Sequence, residues 1–163
     1  MGKSVNRALA AGVLFAALIP ALVGCSTARA DSELEATLSG LTGVTGAYVW
    51  VTTSGFPTNR GLKVRLYLDK NPGDGLEDLI EEAFRTMWDY PAFEPTNGIS
   101  VQIALAERPE VPRKAGGNDL IDLRAELRDP SWLDRLHIQV SRPTARMSHE
   151  AMTDLFGAWT GGD

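Results

Sequence analysis

Hydrophobic positions in this chain switch between a period near four and a period of two, and the switches mark its elements. Leu34, Leu38 and Leu41 share one face of a short helix that Asp31 or Ser32 can cap and Gly43 ends. From Val44 to Thr53 the period becomes two, with Ala47, Val49 and Val51 alternating with Tyr48, Trp50 and Thr52. A turn-rich stretch, Ser54 to Asn59, leads to Leu62, Val64, Leu66 and Leu68, which alternate with Lys63, Arg65, Tyr67 and Asp69. These two strands are expected to pair antiparallel. Leu76, Leu79, Ile80, Ala83, Phe84, Met87 and Trp88 then recur at helical spacing, with Glu77, Asp78, Glu81, Glu82 and Arg85 on the wet side. Asp74 and Glu77 have the spacing of a capping box at the start of that helix, and Pro91 stops it.

Ile99, Val101, Ile103 and Leu105 give a third strand, and Glu107 to Gly117, with two prolines and two glycines, reads as an extended loop. Asp119 to Leu127 fits both periods: Leu120, Leu123 and Leu127 suit a helix, whereas Ile121, Leu123, Ala125 and Leu127 suit a strand. Leu136, Ile138 and Val140 read as a short strand after an Asp129-Pro130-Ser131-Trp132 turn. Ser148 caps a last helix bearing Met152, Leu155, Phe156 and Trp159, with Met147 placed to staple onto Met152. The pattern is that of an α+β fold: a two-layer sandwich with a mainly antiparallel four-stranded sheet plus a C-terminal helix.

Composition narrows the class. The chain has 163 residues, 44% hydrophobic and 23% charged, which suits one globular domain and excludes disordered, collagen-like and multi-pass membrane proteins. A net charge of -5 argues against a nucleic-acid partner. A single cysteine rules out an intrachain disulfide and a Cys-rich metal site, and two histidines count against a histidine-based centre.

The N-terminus carries an address. Lys3 and Arg7 precede Ala8 to Val23, a run without charge that is short for a membrane span and has the layout of a secretory signal. Leu22-Val23-Gly24-Cys25 at its end resembles the lipobox of bacterial lipoproteins. That resemblance implies cleavage before Cys25, a diacylglyceryl group with fatty acids such as palmitate on its thiol, and attachment to the extracytoplasmic face of the cell membrane. Residues 1–24 are then the signal peptide, 25–32 a lipidated tether and 33–163 a single α+β domain. Loss of residues 1–24 removes Lys3 and Arg7 and no acid from 16 basic and 21 acidic side chains, leaving a mature net charge of -7. Two acyl chains hold where one holds only marginally.

The order helix, strand, strand, helix, strand over Leu34 to Ala106 resembles the ferredoxin-like layer and the ring-building motif of secretion-system lipoproteins, through Leu-Ser-Gly-Leu-Thr-Gly-Val-Thr-Gly-Ala-Tyr-Val and the alternation after it. It is a likeness of hydrophobic pattern and transfers no function.

Candidate chemistry is sparse. Counted from Asp69, a calcium loop would need oxygen at position 5 and glycine at position 6, where this chain has Gly73 and Asp74, so a helix-capping turn fits better. Glu77, Asp78, Glu81 and Glu82 lie on the solvent face of one helix, where Glu81 can pair with Arg85. His137 and His149 lack neighbours at metal-ligand spacing. Hence no catalytic set, metal or cofactor is expected. The richest constellation is the far side of the sheet, where Tyr48 and Trp50 share a face with Lys63, Arg65 and Tyr67, joined by Gln102, His137 and Gln139. Aromatic and basic groups together can grip an anionic wall polymer, a sugar or an envelope protein. The competing expectation is that the C-terminal helix covers this face. A surface-anchored binding or assembly module follows as the leading function, ahead of a small-ligand or wall-polymer carrier with a pocket between sheet and C-terminal helix, and of a wall-acting enzyme.

Overall fold

A computed structural model describes residues 32–55, 58–110 and 119–161. The lipobox, the apolar run before it and most of the tether lie outside the described residues, as does most of the Glu107 to Gly117 loop. Helix α1 (32–39) leads to strands β1 (Val44–Thr53) and β2 (Arg60–Leu68). Helix α2 (Leu76–Trp88) and strand β3 (Ile99–Leu105) follow, then short helices α3 (Leu123–Glu126) and α4 (Pro130–Arg135). The hairpin β4 (Gln139–Ser141) and β5 (Thr144–Met147) precedes helix α5 (His149–Phe156).

The fold is α+β, built on one five-stranded mixed sheet in the order β1-β2-β3-β5-β4. β1 and β2 pair antiparallel, with Val49 opposite Val64 and Trp50 opposite Lys63, as the alternation leads one to expect. β2 and β3 are parallel, with Val64 opposite Val101, and β3 pairs antiparallel with β5. The sheet is mainly antiparallel as expected, with three antiparallel pairings to one parallel, but the expected four strands are corrected to five and the ferredoxin-like order is not reproduced. A two-residue period identifies strands but carries no direction. The parallel pair follows from α2, which supplies the crossover that no tight turn can.

All the long helices pack on one face. Leu34 and Leu38 of α1, Ile80, Phe84 and Met87 of α2 and Met152 of α5 share a core with Val64, Leu66, Val101, Ile103, Ala145 and Met147 of the strands, each fully buried or nearly so. Trp88 donates from Nε1 to the carbonyl of Gly157 at 3.1 Å, fastening the end of α2 to the end of α5. Gly98 makes the close fit possible at the head of β3. Its φ is +79°, and a Cβ there would lie 2.3 Å from the Met147 carbonyl oxygen.

Several local expectations are corrected. The Asp74–Glu77 capping box does not form: a single 3-10 turn, Gly73–Gly75, runs straight into α2, whose N-cap Gly75 has no side chain to offer. Asp129 caps a helix instead of making a turn, accepting from the Ser131 amide at 2.9 Å with Pro130 in the first turn. Leu136 ends α4, and His137 takes a left-handed φ of 50° rather than a strand position. The Ile138 amide bonds the Leu133 carbonyl and the His137 amide that of Asp134, the paired bonds of a Schellman stop usually built on glycine. The ambiguous Asp119 to Leu127 stretch divides between the two readings. Leu120 bridges Ala104 as a strand residue, and Leu123–Glu126 forms one helical turn. Other expectations at this end hold: Met147 closes β5 directly ahead of Ser148 and is buried in one core with Met152, and Ser148 caps α5, accepting from the Ala151 amide at 3.1 Å.

Two stability outcomes follow. Leu66 and Phe84 are 0% exposed, so Leu66→Asp or Phe84→Asp buries a charge without a partner and should cost about 3 kcal/mol or more, abolishing the cooperative melt. His137→Gly relieves the left-handed strain and should raise stability by roughly 0.5–1 kcal/mol in urea unfolding.

Candidate binding face of the sheet

The face away from the helices is laid out in rows by the strand registers. In one row Trp50 of β1 stands opposite Lys63 of β2, Lys63 opposite Ser100 of β3, Ser100 opposite Arg146 of β5 and Arg146 opposite Gln139 of β4. The next row holds Tyr48, Arg65 and Gln102, and the third Gly46, Tyr67, Ala104 and Leu120.

Two of these rows form a bonded surface. Lys63 Nζ lies 5.6 Å and Arg65 Cζ 5.8 Å from the centre of the Trp50 ring, within cation–π range. Arg65 donates from Nε and Nη2 to Gln102 Oε1 at 3.4 and 3.1 Å, and Gln102 Nε2 reaches Thr144 Oγ1 at 3.1 Å. Gln102 is the one buried polar side chain among the described residues, and both ends of its amide are satisfied. Trp50, Lys63 and Arg65 are each half-buried.

The third row is closed. Tyr67 is 0% and Tyr48 6% exposed, packed edge to face at 5.9 Å with Ala104 beneath and Leu120 alongside. Arg108 lies over the Tyr48 ring, its Cζ 3.8 Å from the centre, and the Tyr48 hydroxyl donates to the Pro109 carbonyl. Gly46 leaves room for this, since a Cβ there would lie 2.6 Å from the Arg108 side chain. Arg108 also donates to the Ala47 carbonyl and pairs with Glu35 Oε2, both at 2.8 Å, while Glu35 Oε1 accepts from the Val49 amide at 2.9 Å. The ion pair thus fills hydrogen-bonding positions on the free edge of β1.

Of the five residues expected on this face, Trp50, Lys63 and Arg65 reach its accessible part, while Tyr48 and Tyr67 brace it from below. Residues 106–110 and Leu120 cover that end; the C-terminal helix packs on the opposite face. His137 does not belong to the face, because it terminates α4. Gln139 does, and is exposed. Sequence reasoning missed Arg146, Ser100 and Thr144: the first and last sit on β5, whose only inward apolar residues are Ala145 and Met147.

Charge is sharply divided between the two sides. The five strands carry Arg60, Lys63, Arg65 and Arg146 and no acidic residue, although the chain has 21 acidic side chains against 16 basic ones. Arg60 turns the other way and lies over Phe93 at 4.6 Å, leaving three cations on the open face. Acids gather on the helices. Glu81 pairs there with Arg135 at 3.3 Å and not with Arg85, which lies over Phe156 at 4.5 Å.

Other candidate groups stand apart. His149 contacts Glu94 Oε1 at 3.2 Å and the edge of Trp88. Beside the start of α2, burial and the nearby carboxylates of Asp129 and Asp78 raise the pKa of Glu77, whereas the Ser131 hydroxyl and amide lower that of Asp129. Among the described residues no group of three or more His, Cys, Asp and Glu side chains is placed to hold a metal ion. Comparison with protein-family models, with curated proteins and with solved structures yields no match to this chain.

Tyr67 gives a sharp test of the closed end, because its buried hydroxyl has no hydrogen-bond partner among the described residues. Tyr67→Phe should leave stability unchanged or raise it by about 1 kcal/mol, whereas Tyr48→Phe, which loses the bond to Pro109, should cost about 1 kcal/mol in the same urea titration.

Proposed function

We propose that the protein is a lipid-anchored extracytoplasmic binding module that offers the open face of its sheet to an anionic partner. The observation that carries the binding half is the charge of the strands: Lys63, Arg65 and Arg146 point to the open face, and no strand residue is acidic on a chain whose acids outnumber its bases. A uniformly acidic surface would repel an anionic partner before contact, and these strands do not present one. Trp50 adds a flat apolar surface held between two of those cations. The anchoring half rests on the lipobox-like Leu22-Val23-Gly24-Cys25 behind its uncharged run. Among the described residues no helix is long and apolar enough to cross a membrane.

Cys25→Ala should accumulate as unprocessed precursor and take up no fatty-acid analogue in metabolic labelling, whereas the native chain is labelled and shortened. A labelled Cys25→Ala protein would overturn the anchor.

A further inference from the structure

We infer that the ligand of the open face is a linear anionic glycan, a sugar polymer whose spaced acidic groups meet Lys63 and Arg146 while a ring lies against Trp50. This rests on the reading of the open face as a ligand surface, and it adds the chemical class of the ligand and a residue, Arg146, that the sequence did not single out.

The spacing of the cations argues for a polymer. Lys63 and Arg146 share a row on β2 and β5 with β3 between them, so their backbones stand about 10 Å apart across two strand spacings. Their side chains do not converge. Lys63 is held over Trp50 on β1, and Arg146 donates from Nη2 to the backbone and side-chain oxygens of Asn97 at 3.1 Å. One small anion meets one of them; a chain with repeated charges meets both. A guanidinium has five donors, and the Asn97 bonds come from a single nitrogen, so Arg146 keeps donors for a ligand.

The groups between the cations argue for a hydroxyl-rich ligand. Ser100 and Gln139 flank Arg146 in its row, and Ser141 pairs with Thr144 in the next, a strip of hydroxyls and amides. A protein partner would bury a cluster of apolar anchors at the centre of the contact, whereas this face offers one aromatic ring, Trp50, at the end of a polar strip. Among the described residues the one exposed large hydrophobic is Leu105, on the opposite alternation of β3. The same lack argues against insertion into a bilayer surface. Three cations on a net acidic chain also suit widely spaced charges better than the dense charge of a nucleic acid.

The processed, lipid-bearing protein in detergent can be titrated with polygalacturonate, neutral dextran, inorganic polyphosphate and glycerol 1-phosphate, a soluble stand-in for a lipid headgroup. Polygalacturonate should bind and weaken as salt rises, and dextran should not bind. Lys63→Gln and Arg146→Gln, which keep their stems, should each lower that affinity about three- to tenfold without moving the melting temperature. Trp50→Leu should lower binding of polygalacturonate more than that of polyphosphate. Polyphosphate binding as tightly as polygalacturonate, with the same losses in both Gln variants, would overturn the glycan while leaving the face as a ligand surface. Binding unaffected by either Gln variant would overturn the face itself. Binding to glycerol 1-phosphate alone, or to none of the four probes, would overturn the inference.

Discussion

Parallel pairing of β2 with β3 is the constraint from which the architecture follows. Two parallel neighbours cannot be joined by a hairpin, so the chain must cross the sheet, and α2 is that crossing. An amphipathic crossing helix buries its apolar stripe on one face only, and α1 and α5 join it there to complete a core around Phe84 and Leu66. The opposite face receives no long helix. Everything that distinguishes this protein stands on the side the crossover leaves uncovered.

That side is managed by side chains. At one end Tyr48 and Tyr67 fill the gap under residues 106–110, and the Glu35–Arg108 pair supplies an acceptor and a donor to the outer edge of β1. An exposed ten-residue edge strand invites pairing with another chain, and a charged pair bonded to the backbone positions between Ala47 and Val49 opposes it. At the other end no such cover lies over Trp50, Lys63 and Arg65 among the described residues. Cation–π contact and the Gln102 bridge hold these long side chains in place, which reduces the ordering cost a ligand would otherwise meet.

The sequence made the strongly periodic elements legible and was silent where period and direction part. The β1–β2 pair, the burial stripe of α2 and the Ser148 cap could all be read from residue spacing. The fifth strand could not, because Thr144–Met147 offers two inward apolar residues, too few to show a period. Val140 lies in a strand, β4, as its spacing suggests, but Leu136 and Ile138 only mimic strand residues because a Schellman stop leaves both sides of His137 buried. Alternation placed Tyr48, Trp50, Lys63, Arg65 and Tyr67 on one face correctly. It could not say which would be covered, since the cover comes from Arg108 and Pro109, some sixty residues away in the chain. Arg146 was hidden for the same reason as its strand.

On the anchored reading, the tether and the open face stand in a defined relation. Residues 26–31 span at most roughly 20 Å when fully extended, so α1 is held near the bilayer. Glu35 on α1 is bonded to the edge of β1, which makes that edge the part of the sheet nearest the anchor. The sheet then continues away from the anchor from β1 to β4, and the row Trp50, Lys63, Ser100, Arg146, Gln139 runs in the same direction. The acidic stripe of α2 lies on the other side of the sheet, and the strands that form this row carry cations and no acid on a chain whose acids outnumber its bases.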